Sequence, residues 1–245
     1  MGGKRSLICL AMCGVAYSAG AQIEMRTVSV YQGLVTLEVP ADWNEIPPEM
    51  LEFYSIRSAE ASGGIVAETY QHGFRQGDPE ADFAPPQILI QIRESGRVNH
   101  RELRRLPSVE DMRAGAGELA EQSGPFLEDL NPRQISYDPV TYSLRISNAL
   151  DLSFEGPVIV DSASFLTQRG TFTVHCYALR QHYHKMAPVF DHVLSSVRID
   201  DSIRYRPRLA DVLPRPAALA AYAIAATLAV AILLVYLVQR RRRQT

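Results

Sequence analysis

The sequence predicts an α+β domain, an antiparallel β-sheet packed with helices, followed by one C-terminal transmembrane helix. Three observations predict it. Period-two segments separated by short turns fill the second half of the chain, and a segment of helical periodicity closes that half. An uncharged apolar run, Ala217–Val238, is then followed by Arg240-Arg241-Arg242-Arg243. Short turns demand antiparallel pairing, because a parallel crossover needs a dozen residues or more. The apolar run reaches roughly 33 Å as a helix, enough for a hydrocarbon core of about 30 Å, and is apolar on every face.

The elements follow in order. Arg26–Tyr31 and Val35–Val39 read as strands joined at Gln32-Gly33, the start of a hairpin. Pro40-Ala41-Asp42-Trp43 breaks the pattern, and Pro47-Pro48 opens a helix that runs to about Ala61. Proline suits a first turn, where its missing N–H has no partner to lose, and Gly63-Gly64 ends the helix. Ile65–Arg75 and Gln87–Glu94 read as strands around an acidic, proline-bearing loop. Ser108-Val109-Glu110-Asp111 has the form of an N-cap with an acidic first turn, for a helix that Gly124-Pro125 stops.

Strands then recur at Gln134–Tyr137, Thr141–Leu152, Val158–Thr167 and Thr171–Leu179. Tyr142, Leu144 and Ile146 mark one buried face by alternation, and Phe172, Val174, Cys176 and Ala178 mark another. Ala187, Phe190, Val193, Leu194 and Val197 recur at helical spacing, which predicts a helix over Met186–Val197. Residues 22–199 are thus the folded domain, 200–216 a Pro/Arg-bearing tether, 217–238 the membrane helix and 239–245 a basic tail.

The two ends agree on topology. Lys4 and Arg5 precede the apolar stretch Ser6–Tyr17, and Ala19-Gly20-Ala21 suits signal peptidase, so residues 1–21 read as a cleaved signal peptide. An uncleaved anchor and lipidation at Cys13 are the alternatives. Arginines flanking a span stay cytoplasmic, so Ala217–Val238 and Arg240, Arg241, Arg242 and Arg243 anchor a single-pass, type I protein. Lys4 and Lys185 are the only lysines beside abundant arginine, a bias suited to a GC-rich bacterial genome. The expected location is the bacterial inner membrane, with the bulk of the chain in the periplasm.

Residues 22–216 hold all 27 acidic residues and 19 of the 25 basic ones, a formal charge of −8. Such a surface is not built for nucleic acid. With Cys9 and Cys13 in the signal, Cys176 remains alone, which excludes an intramolecular disulfide and suits a core thiol.

Val35-Thr36-Leu37-Glu38-Val39-Pro40-Ala41-Asp42-Trp43, with the strand Gly170–Leu179 and a helix ending Leu194-Ser195-Ser196-Val197, resembles the PsbP-like group, which includes DcrB-type bacterial envelope proteins. The resemblance implies an α/β/α sandwich used for binding or assembly without catalysis. It carries no catalytic residues.

For chemistry, His182 and His184 are the leading candidates, read as a strand-to-helix loop where two imidazoles could converge on Zn²⁺ or Cu²⁺, with His192 nearby in the closing helix. No cysteine or carboxylate completes the set at ligand spacing. No G-x-S-x-G elbow, phosphate loop or G-x-G-x-x-G occurs. Arg101, Arg104 and Arg105 form a small basic cluster, and the lone Trp43 reads as core beside Pro40. The expectation is a non-catalytic, membrane-anchored module without cofactor that acts on another envelope protein. The alternative is a metal-binding protein or a metal-dependent enzyme using the region of His182 and His184.

Overall fold

A computed structural model describes residues 23–61, 69–80, 85–100, 108–114, 127–152 and 157–208. The expected signal peptide, the cluster Arg101/Arg104/Arg105, the span Ala217–Val238 and the tail Arg240–Arg243 lie outside those residues. Among the described residues, no helix is long and apolar enough to cross a membrane.

The first strands, β1 (Met25–Val30) and β2 (Val35–Pro40), pair antiparallel, from Met25 opposite Pro40 to Val30 opposite Val35. Tyr31 and Gln32 take positive φ (52° and 57°), as a tight turn between two right-twisted strands requires. Tyr31 is held there by its hydroxyl, which donates to Glu94. β3 (Asn44–Glu45) is a two-residue strand, and α1 (Pro48–Ala61) begins at the paired prolines, with Met50 and Leu51 N–H donating to Pro47 O. β4 (Tyr70–Arg75) and β5 (Gln87–Arg93) follow. Residues 109–114 are helical behind a reciprocal cap: Ser108 Oγ accepts from Asp111 N at 3.1 Å, while Asp111 Oδ2 accepts from Ser108 N at 2.9 Å.

Four long strands complete the sheet: β6 (Leu127–Asp138), β7 (Ser143–Leu152), β8 (Val158–Leu166) and β9 (Thr171–Leu179). α2 (Arg180–Ser196) and β10 (Arg198–Ile199) close the fold. The seven-stranded sheet has the order β3-β4-β5-β9-β8-β7-β6, and each neighbouring pair in it is antiparallel. A small sheet, β1-β2-β10, lies apart from it. Ile88, Ile90, Ala163, Phe172, Val174 and Cys176 of the large sheet pack with α2 and the small sheet into the main core. On the other face, Gly73 lets α1 approach: a Cβ there would meet Leu51 and Leu89 at 3.0 Å. Helices therefore cover both faces, and the α+β reading stands.

The structure corrects three boundaries. The last helix begins at Arg180, six residues before Met186. Leu179 is still extended (φ −59°, ψ 137°) and feeds straight into it, while Arg180 N–H donates to Pro157 O at 2.7 Å. β6 is far longer than Gln134–Tyr137, because two register shifts interrupt its alternation. The expected tether from Asp200 is instead folded through Tyr205. Ile203 is 1% exposed and Tyr205 3%, and Gln168 N–H donates to Ile203 O at 2.8 Å. Tyr205 joins Met112, Leu144, Ile146 and Leu166 in a second apolar cluster.

Candidate functional site

A cleft of about 280 Å³ opens where α2 crosses β6, β7 and β8. Strand register builds its floor. Gln134 stands opposite Ser147, and Ser147 opposite Asp161, so these three share one face across three strands. Arg145 lies two residues from Ser147 on the same face. The register shift between Pro132 and Gln134 lets two successive residues, Arg133 and Gln134, line the cleft. Proline at position 132 is tolerated because β6 is an edge strand. Tyr183, Asp191 and Leu194 of α2 form the opposite wall.

The polar groups are tied together. Tyr183 Oη donates to Asp161 Oδ2 at 2.7 Å, and the Arg133 guanidinium sits 5.0 Å from the Tyr183 ring centroid. Burial, then the Asp161 carboxylate, pushes the Tyr183 phenol up to about 12, so it stays a donor. Arg145 donates to Ser195 Oγ at 2.9 Å and lies 3.7 Å from Asp191 Oδ1. Asp161 Oδ1 and Ser147 Oγ are withdrawn from solvent and have no hydrogen-bond partner. The cleft thus offers two guanidinium groups, two carboxylates and two unmet hydrogen-bonding atoms.

None of the predicted histidines lines this cleft. His182 and His184 are exposed on the first turns of α2, not in a loop. Two residues apart, they point about 200° apart around the helix. His192 Nε2 instead contacts Glu38 Oε2 on β2. Among the described residues, no three His, Cys, Asp or Glu side chains are grouped to hold a metal ion.

His175 makes a contact that resembles a nucleophile–base pair: its Nδ1 lies 2.8 Å from Ser162 Oγ. Burial, with a smaller contribution from Arg93, lowers the imidazole to about 3. A base of that strength is poorly matched to proton abstraction near neutral pH. Cys176 is fully buried and its thiol is pushed well up by burial, so it is core. Trp43 is 3% exposed in the main core, with its N–H donating to Pro40 O at 3.1 Å.

No family model matches this chain, and no curated protein matches it significantly. Among solved structures it is similar to a cyanobacterial PsbP (CyanoP) from Synechocystis sp. PCC 6803, with 10% identity, a TM-score of 0.46 and coverage of 74% of this chain and 95% of that one. It is similar to the Ran-binding protein Mog1p of Saccharomyces cerevisiae, with 14% identity, a TM-score of 0.40 and coverage of 74% and 98%. It is also similar to LpqN, involved in cell envelope biogenesis of Mycobacterium tuberculosis, with 12% identity, a TM-score of 0.39 and coverage of 72% and 91%. The PsbP-like resemblance is one of fold, and it assigns no residue a role.

Proposed function

We propose that this chain is a membrane-anchored periplasmic binding module without catalytic activity, and that it holds another envelope protein in the cleft between α2 and β6–β8. The observation that carries this reading is Asp161. Its Oδ1 is desolvated and unpartnered on the floor of an open cleft, and such a group is costly unless a donor meets it. The charges lining the cleft are balanced, two arginines against two aspartates with Asp161 included, which suits a polar protein segment better than a free ion. A volume near 280 Å³ is at the small end for ligand sites and admits a few side chains.

The anchor rests on Ala217–Val238 and Arg240–Arg243. With the domain folded through Tyr205, residues 209–216 are left between the described domain and the span. Eight residues reach at most roughly 29 Å. The cleft is then confined near the bilayer, where tethering raises its effective concentration for membrane partners.

The test is a charge swap. Arg145→Asp with Asp191→Arg preserves the pair's mutual attraction but reverses what the cleft offers. Full-length protein in mild detergent should lose its co-purifying envelope partner in the swapped form while unfolding at an unchanged temperature. Undiminished partner recovery would remove the cleft from recognition.

A further inference from the structure

The sheet face beneath α1 is polar where an interior is ordinarily apolar. β5 presents Gln87, Leu89 and Gln91 on this face, and β9 presents His175 opposite Leu89, between the two glutamines. Gln87 is 0% exposed, Gln91 2% and His175 2%. Gln87 stands between Arg75 of β4 and Tyr177 of β9, and Arg75 donates to the Tyr54 hydroxyl of α1 at 3.3 Å. Both amide atoms of Gln87, Nε2 of Gln91 and Nε2 of His175 meet no hydrogen-bond partner. One such atom is destabilising, and four on adjoining residues would consume a large share of a domain's margin of stability. Native interiors meet such groups with a guest or ordered water.

The chemistry of the unmet groups selects the guest. Gln87 offers an N–H and a C=O side by side, which complement a planar group carrying an acceptor beside a donor. Gln91 adds a second amide donor, and His175, held at Nδ1 by Ser162, presents Nε2 alone. We propose that Gln87, Gln91 and His175 enclose a site for a small molecule with a planar carbonyl head group, a carboxamide or a carboxylic acid. This site lies on the opposite face of the sheet from the α2 cleft and is independent of it.

The experiment uses full-length protein in detergent. Compounds released on denaturation are identified by mass spectrometry, and thermal unfolding is followed with propionamide or propionate added. Wild type should release a carbonyl compound in near-stoichiometric amount, or gain unfolding temperature saturably with one probe. Which probe acts separates amide from acid. Gln87→Met and Gln91→Met, close in shape, should abolish both effects. No released compound, no shift with either probe, and Met variants at least as stable as wild type would mean water fills the row and would overturn the proposal. Should the Met variants fail to fold, release and probe response in wild type still decide.

Discussion

Replacing Trp43 with alanine tests the packing most sharply. The indole is 3% exposed and packs in the cluster that contains Leu37, Val39, Phe74 and Phe190. The hydrogen bonds at this position belong to the backbone: Trp43 N–H to Pro40 O, and Arg26 Nη2 to Trp43 O at 3.0 Å. They survive truncation, so the loss is packing alone. Deleting a buried Trp to Ala costs about 3–5 kcal/mol. With a urea slope of about 2 kcal/mol per molar, the unfolding midpoint should fall by roughly 1.5–2.5 M. Trp43 is the only tryptophan, so far-UV circular dichroism is the readout rather than fluorescence. A fall below roughly 0.5 M would mean that the indole is not a core residue.

Four further outcomes are expected. A fragment ending at 208 should fold cooperatively, whereas one ending at 200 should be less stable by several kcal/mol for want of Ile203 and Tyr205; equal urea midpoints would restore Asp200 as the start of the tether. Gly170→Ala should disrupt the β8–β9 turn, because its Cβ would fall 1.8 Å from Arg93 O at φ +153°, and an unchanged unfolding temperature would contradict this. The Tyr183 phenol is raised to about 12 from 10, so its contribution is complete below pH 10 and lost as pH climbs toward 12; Tyr183→Phe should flatten that loss in denaturation midpoints between pH 9 and 12. His175 is lowered to about 3 from 6.5, so its contribution is complete above pH 6.5 and lost as pH falls toward 3; His175→Gln should lose less stability over that window, and identical acid profiles would show that His175 is not buried neutral.

Much of the fold was legible because its elements obey local rules. β9 occupies Thr171–Leu179 as its alternation foretells, and α1 starts at the paired prolines. The cleft was not legible, because its residues are joined only by register. Arg133 lines it through a bulge that breaks the period-two pattern of β6. Tyr183 was overshadowed by its histidine neighbours, and Pro188, inside α2, interrupts the helical pattern before the apolar spacing becomes regular. The C-terminal strap was obscured by its polar composition. Only Ile203 and Tyr205 in it are buried, too few to show a period.

The central claim is that the α2 cleft is the face that holds a partner. Site-specific photocrosslinking in intact cells tests it most directly, with a photoreactive residue at Gln134 or Asp191 in the cleft and at Val140, exposed on the β6–β7 turn. A discrete crosslinked product from the two cleft positions, absent from Val140 and, for the Gln134 probe, lost in the Arg145→Asp/Asp191→Arg form, is the result predicted. A product from Val140 alone, or equal products from all three positions, would contradict the account.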